Sequence, residues 1–80
     1  MKFANMILYY KPNCPYCRKV TAFMEDNGIE MEMRDTREGD NLAELTKLTG
    51  KTQVPCLVVG GDPMLESDAI IAYLEGVMAG

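Results

Sequence analysis

Two cysteines, Cys14 and Cys17, are the residues of this chain best suited to chemistry, and only a proline and a tyrosine separate them. Side chains three positions apart lie on the same face of a helix, so these two thiols can close a small disulfide. In disulfide exchange and in metal binding the reactive species is the thiolate. The spacing therefore predicts either a redox-active pair or part of a metal site.

The sequence on either side of the motif favours the redox interpretation. Residues 6–10 form an apolar, β-prone run, and residues 18–27 have the character of a helix. Cys14 would then lie where a strand leads into a helix N-terminus, at which free N–H groups and the helix dipole stabilise a thiolate. A Cys-x-x-Cys pair in a strand–helix–strand setting is a redox motif.

A metal site is the first alternative, and the composition argues against it. Zinc requires four ligands, whereas the chain has no histidine and only one further cysteine, Cys56. We therefore expect no metal. Two buried, inert cysteines are the second alternative, which the basic residues around the motif disfavour: Lys11, Arg18 and Lys19.

Charge is distributed unevenly along the chain. The net charge is -4, yet the first 24 residues contain four basic residues and no acidic one, and all 12 acidic residues follow. This positive segment suits a small anionic substrate and lowers the pKa of a thiol. Because the whole chain is acidic and has no basic helix, we expect no binding to nucleic acid.

Length and composition predict one small globular domain covering residues 1–80, with 48% hydrophobic and 25% charged residues. No apolar stretch approaches the roughly 20 residues of a membrane span, and no signal-peptide cleavage site is evident. Three cysteines are too few for the disulfide framework of a secreted protein. We therefore expect a cytoplasmic monomer without membrane contact.

The first half of the chain predicts a strand–helix–strand unit, with strands at residues 5–10 and 29–35 and a helix at 15–27. Apolar periodicity predicts a buried helical stripe of Val20, Phe23 and Met24. Strict alternation in the second strand places three apolar residues on one face: Ile29, Met31 and Met33. Such a unit has parallel strands and a right-handed crossover.

The second half predicts a helix that begins at Asp40 or Asn41 and ends at Gly50, with a buried face of Leu42, Leu45 and Leu48. Strands at residues 52–59 and 64–66 flank a turn at Gly60-Gly61. A last helix would have Ser67 as its N-cap, Asp68 in its first turn, and an apolar face of Ile70, Ile71, Leu74, Val77 and Met78. The predicted fold is α/β, ordered β-α-β-α-β-β-α, with a four-stranded mixed sheet flanked by three helices.

Three segments, at residues 11–17, 52–55 and 60–70, together resemble glutaredoxins, whose usual dithiol motif is Cys-Pro-Tyr-Cys. The third segment departs from the Gly-Gly-x-Asp-Asp pattern of that family. It is similar instead to the Glu-Ser-x-Ala-Ile of glutathione transferase N-terminal domains, which share the thioredoxin fold. The resemblance implies a thioredoxin-like fold, a redox-active disulfide, and a role in electron transport and cell redox homeostasis.

The resemblance implies a role for each thiol. Cys14 would be the nucleophile that takes up glutathione as a mixed disulfide, and Cys17 would be the resolving thiol. Glutathione is then the co-substrate, and the partners are disulfide-containing or glutathionylated proteins. We expect Cys56 to be buried and unreactive, because both faces of its strand are apolar.

The resemblance also implies glutathione contacts. Tyr16 would line the glutathione groove, and Lys11 and Gln53 would face the glycine carboxylate. Val54 would pair through its backbone with the cysteinyl peptide in the manner of an added strand. Pro55 would follow a cis peptide bond.

Ser67 and Asp68 would hold the γ-glutamyl carboxylate and amine. Simpler interpretations stay open at this point, since both residues suit a helix cap, Lys11 could be a solvated loop lysine and Gln53 a neutral turn residue.

Three other functions also stay open. The domain could be a thioredoxin-like hydrogen donor that a flavoprotein reductase reduces. It could be a transferase-type domain, as the Glu66-Ser67 segment suggests. It could finally be an iron–sulfur module in which Cys14 and glutathione thiolates bridge a dimer, although Pro15 beside the nucleophile disfavours this.

Overall fold

A computed structural model describes residues 1–80, and its element order is the one that the sequence predicts. The strands are β1 (Lys2–Tyr10), β2 (Glu30–Asp35), β3 (Cys56–Val59) and β4 (Asp62–Leu65). The helices are α1 (Pro15–Asp26), α2 (Asn41–Thr49) and α3 (Ser67–Ala79). The predicted α/β class is confirmed. None of the three helices has the length and apolar character that crossing a membrane requires.

The four strands form one mixed sheet in the order β2-β1-β3-β4. β1 and β2 are parallel, whereas β3 pairs antiparallel with β1 and with β4. The carboxyl end of β1 therefore lies beside the amino end of β3, where Tyr9 pairs with Cys56. This register brings the loop after β1 close to the residues that precede β3.

Helices cover both faces of the sheet, because side chains alternate along each strand. One face packs against α1 and α3 and forms the larger core cluster: Met6, Leu8, Val20, Met24, Ile29, Leu57, Ile70 and Leu74. The other face packs against α2 through a smaller cluster: Tyr9, Leu45, Cys56 and Val58. Phe23 of the predicted stripe is only partly buried, and Cys17 is buried in its place.

The strand boundaries differ from the predicted ones at three points. β1 starts at Lys2 rather than at residue 5, because Lys2 pairs with Glu30 in the parallel ladder. β3 starts only at Cys56, since Pro55 has no N–H to donate to a ladder. β4 starts at Asp62, and Pro63 is tolerated there because β4 is an edge strand.

Three residues that the periodicity assigns to the core are exposed. Leu42 and Leu48 are 38% and 40% exposed, because α2 meets the sheet through the single ridge on which Leu45 is fully buried. Met33 is 38% exposed, since β2 is an edge strand with a neighbouring strand on one side only. The predictions for these three side chains are therefore wrong.

Candidate thiol active site

Cys14 lies at the N-terminus of α1, where the chain leaves the central strand β1. Its N–H donates to the carbonyl oxygen of Lys11 at 3.2 Å, which closes a turn after β1. Its own carbonyl accepts from the N–H of Arg18 at 2.9 Å, the first hydrogen bond of the helix. Pro15 occupies the first helical position, where a missing N–H costs nothing. The Cys14 side chain is half-buried and reachable from solvent.

The surroundings of Cys14 favour its thiolate. Partial burial works to raise the pKa of Cys14, but the N–H and the thiol of Cys17, the N–H of Tyr16 and the charge of Lys11 together lower it. The net result is a pKa below the ordinary value of a cysteine. A larger fraction of Cys14 is therefore ionised at neutral pH.

Cys17 is the opposite case. Its side chain is 1% exposed, and this burial raises the pKa of Cys17 to about 11. The Lys11 N–H donates to Cys17 Sγ at 3.4 Å and opposes the increase, whereas the hydrogen bond with Cys14 adds to it. Cys17 is therefore a protonated thiol that donates to the Cys14 sulfur. The structure thus places a thiol of lowered pKa beside a thiol of raised pKa.

An open groove of about 360 Å³ runs from the motif to the N-terminus of α3. Seven residues line it: Tyr16, Gln53, Val54, Pro55, Glu66, Ser67 and Asp68. Six of these are residues that the sequence assigned to glutathione contacts. A second cavity, of about 400 Å³, lies between α1 and β2 and has no residue of the Cys-Pro-Tyr-Cys motif in its lining, whereas Tyr16 of the motif lines the first groove. We therefore place the candidate site at the first groove.

The segment that precedes β3 forms one wall of the groove. The Val54–Pro55 peptide bond is cis, as expected, and Pro55 is buried. The backbone N–H and C=O of Val54 make no hydrogen bond within the protein. A bound peptide can therefore pair with Val54 as an added strand.

The opposite wall is the start of α3, and here the structure corrects a prediction. The N-cap is Glu66 rather than Ser67, and Ser67 is the first residue of the helix with its side chain buried. Glu66 has φ 78° and is the one non-glycine residue with positive φ. Such backbone strain in a non-glycine residue is uncommon and concentrates at functional sites.

Glu66 is also the lining residue that sequence reasoning missed. Gln53 Nε2 donates to Glu66 Oε1 at 3.2 Å and thereby joins the two walls of the groove. The partners are 13 positions apart, so no local pattern predicts the contact. The signal that was available is the Glu-Ser-x-Ala-Ile similarity, of which the first residue received no role.

Asp68 forms an ion pair with Lys19 of α1. Both side chains are well exposed, so the pair contributes only about 0–1 kcal/mol to stability. The Lys19 ammonium donates to Oδ1 of the Asp68 carboxylate. The pair shows that the Lys19 flank of α1 faces α3 and the groove.

Four predicted or suspected site residues do not line the groove: the motif thiols Cys14 and Cys17, which flank its lining residue Tyr16, and also Lys11 and Cys56. Lys11 is exposed and does not line it, and its charge acts on the two thiols instead. Cys56 is fully buried against Tyr9, Leu45 and Val58, as expected, and burial raises the pKa of its thiol. No group of three or more histidine, cysteine, aspartate or glutamate side chains is arranged to hold a metal ion.

Comparison with known proteins identifies a family. The sequence model described as "Glutathione S-transferase, N-terminal domain" matches residues 8–79. The chain is 34% identical over 71 residues to glutathione S-transferase D7 of Anopheles gambiae, covering 85% of this chain and 33% of that protein. It is 27% identical over 69 residues to the hybrid peroxiredoxin hyPrx5 of Haemophilus influenzae, covering 86% and 29%. The chain thus spans about a third of the length of these curated relatives.

Solved structures agree on the fold. Glutathione transferase Omega 3C from Trametes versicolor superposes with a TM-score of 0.81 at 20% identity, covering 96% of this chain and 35% of that chain. Buckwheat glutaredoxin in complex with glutathione superposes with a TM-score of 0.70 at 20% identity, covering 90% and 69%. Likeness at this identity confirms the thioredoxin-like fold.

Proposed function

The chain belongs to the family of glutathione S-transferase N-terminal domains, and from this premise we propose that Cys14 catalyses glutathione-dependent thiol–disulfide exchange of the glutaredoxin kind. The observation that carries the proposal is the contrast between the two motif thiols. Cys14 is reachable and has a lowered pKa, whereas Cys17 is buried and has a raised one. An attacking thiol must be ionised, and a resolving thiol can stay protonated until it is needed.

The reaction transfers glutathione onto Cys14 and then off again. The Cys14 thiolate attacks the glutathione sulfur of a mixed disulfide, so that a new disulfide forms as the substrate disulfide breaks. The substrate leaves as a thiolate and takes a proton from solvent. The thiolate of a second glutathione attacks the adduct, glutathione disulfide leaves, and Cys14 is again a thiolate.

For a protein disulfide, the substrate itself is first joined to Cys14. Cys17 then loses its proton to the departing substrate thiolate, attacks the Cys14 sulfur and closes the Cys14–Cys17 disulfide. Two molecules of glutathione reduce this disulfide and leave together as glutathione disulfide. The pair of electrons thus passes from glutathione to the substrate disulfide.

The groove supplies the contacts that this scheme requires. The free backbone groups of Val54 suit the cysteinyl peptide of glutathione. The open N–H groups at the start of α3, by Ser67 and Asp68, suit the γ-glutamyl carboxylate. The carboxylates of Glu66 and Asp68 suit the α-amine at the same end. The Gln53 amide, which lies 3.2 Å from Glu66 Oε1, belongs to this γ-glutamyl end rather than to the glycine end, and Tyr16 lies alongside the ligand.

A second candidate is the conjugation of glutathione to electrophiles, and the family match favours it. In that reaction the site would activate bound glutathione without forming an adduct on Cys14. One purified protein can be assayed for both activities. We expect NADPH consumption with glutathione, glutathione reductase and a glutathionylated peptide, together with negligible conjugation of an aromatic chloride. Conjugation without exchange would overturn the proposal in favour of the second candidate.

A further inference from the structure

The two flanks of α1 beside Cys14 differ in what they face. Lys19 is paired with Asp68, so its flank faces the groove and α3. Consecutive helical residues are about 100° apart around the axis, and Arg18 therefore lies away from the groove. Thr21 and Glu25, which share the Arg18 flank, line the cavity between α1 and β2. Arg18 is thus on the far side of Cys14 from the groove.

Arg18 is also placed to reach above Cys14. The two residues are four positions apart and joined by the first helical hydrogen bond. Side chains on a helix lean toward its N-terminus, so Arg18 extends back over the turn that carries Cys14. The Arg18 side chain is exposed and makes no ion pair, which leaves its guanidinium free for a carboxylate.

Two more cations lie at this side of the site. Lys11 follows β1, is exposed and makes no ion pair. Arg37 follows β2, and the loop that carries it is held against the end of β1 because the Thr36 N–H donates to the Tyr10 carbonyl at 2.9 Å. Arg37 forms an ion pair with Asp35, which is buried. We call Lys11, Arg18 and Arg37 the basic flank; of its three cations, only Arg37 forms an ion pair within the protein.

We infer that the basic flank receives the half of the substrate that leaves as a thiol, and that preferred substrates carry Asp or Glu beside the glutathionylated cysteine. This inference rests on the proposed function. If the glutathione half occupies the groove, the peptide half must extend from Cys14 on the other side, toward Arg18. A guanidinium there binds carboxylates with two parallel hydrogen bonds, and an acidic segment is drawn to the positive surface.

Arg18 separates substrate recognition from thiol activation. The charge of Lys11 lowers the pKa of Cys14, and this cation stays in place when Arg18 is replaced. Replacing Arg18 therefore tests recognition without removing the cation that favours the thiolate. Lys47 of α2 is a matched control, because it is also an exposed cation without an ion pair.

The test uses three glutathionylated peptides that differ only in the two residues flanking cysteine, which are Glu, Gln or Lys. Each kcat/KM is divided by the rate of uncatalysed exchange with glutathione, because flanking charges alter the leaving thiol. We expect the Glu peptide to exceed the Lys peptide about tenfold at low salt, the size of two exposed charge pairs. The ratio should fall toward one at high salt.

Variants then assign the effect. Arg18→Gln should reduce the Glu-to-Lys ratio severalfold, Arg18→Glu should invert it, and Lys47→Gln should leave it unchanged. Equal turnover of the three peptides by the wild type would overturn the inference and leave the proposed function intact. A ratio that responds to Lys47 but not to Arg18 would overturn the assignment to the basic flank. No turnover of any peptide would overturn the proposed function itself.

Discussion

At the scale of single residues, Cys14 and Cys17 differ because one stands at a helix end and the other one turn inside it. Cys14 receives hydrogen bonds and the charge of Lys11, whereas the Cys17 side chain is buried in the core. The Cys-Pro-Tyr-Cys sequence predicts a redox pair, but the difference between the two pKa values depends on how α1 packs on the sheet.

We expect Cys14→Ser to abolish glutathione transfer, because a serine hydroxyl cannot form the mixed disulfide. Cys17→Ser should retain reduction of a glutathionylated peptide, in which a second glutathione resolves the adduct, and should lose reduction of a protein disulfide. Glutathione-coupled turnover of the two substrate types measures this. Equal, complete loss in both variants would contradict the mechanism in which Cys14 acts alone.

Cys56→Ser should leave activity within about twofold, because Cys56 is fully buried away from the groove and burial raises its pKa. Alkylation at neutral pH, followed by mass spectrometry of the digested protein, should label Cys14 much faster than Cys56. Comparable labelling rates, or a disulfide that joins Cys56 to either motif cysteine, would show the assignment to be wrong.

At the scale of elements, the periodicity and turn residues predict the order of all seven helices and strands. They do not predict how wide a stripe each helix buries, because that depends on the neighbours it meets. α2 is the clear case: three leucines recur at helical spacing, but only Leu45 reaches the sheet. The α3 cap fails for a related reason, since the positive φ of Glu66 opposes local preference and is imposed by the tertiary structure.

The α2 contact gives a direct stability prediction. Leu45→Ala should lower the free energy of unfolding by about 2–5 kcal/mol, because it leaves a cavity beside Tyr9, Cys56 and Val58. Leu42→Ala should change it by less than about 1 kcal/mol, since that side chain is already 38% exposed. Urea denaturation of the reduced proteins measures both values. Similar losses in the two variants would mean that α2 buries a wider face.

At the scale of the whole molecule, the candidate site draws on parts of the chain that meet only in the folded state. The resemblance predicts six of the seven groove residues because each lies within a short motif. The hydrogen bond from Gln53 to Glu66 and the ion pair from Lys19 to Asp68 join distant segments, so single-segment reasoning cannot find them. The position of Lys11 outside the groove also depends on how the segments pack together, so the motif alone does not predict it.

Stability should fall at alkaline pH because of Cys17. Well below pH 9 the Cys17 thiol is protonated in the folded and in the unfolded state, so its contribution to the free energy of unfolding is fully present. As the pH rises from 9 toward about 11, the unfolded chain loses this proton while the folded protein keeps it. The loss should reach about 2–3 kcal/mol, at 1.4 kcal/mol per pKa unit.

Urea denaturation of the reduced protein between pH 8 and about pH 11 measures this alkaline loss. Cys17→Ala is the matched variant, because it removes the Cys17 thiol and keeps the other groups that titrate at alkaline pH, which are the lysines, the tyrosines and the two remaining cysteines. Its stability should decline less steeply over the same range. Parallel declines in the two proteins would assign the loss to other groups.

The two outer strands of the sheet bear on aggregation. An unpaired strand edge is a template on which another chain can add and start a fibril. On β4, Pro63 removes one N–H from the edge. On β2, alternate positions carry the charged side chains of Glu30, Glu32 and Arg34, and charged side chains on an edge strand disfavour the addition of another strand. The molecule therefore protects one edge by a missing donor and the other by charge, and neutralising the two glutamates should convert β2 into the point where aggregation begins.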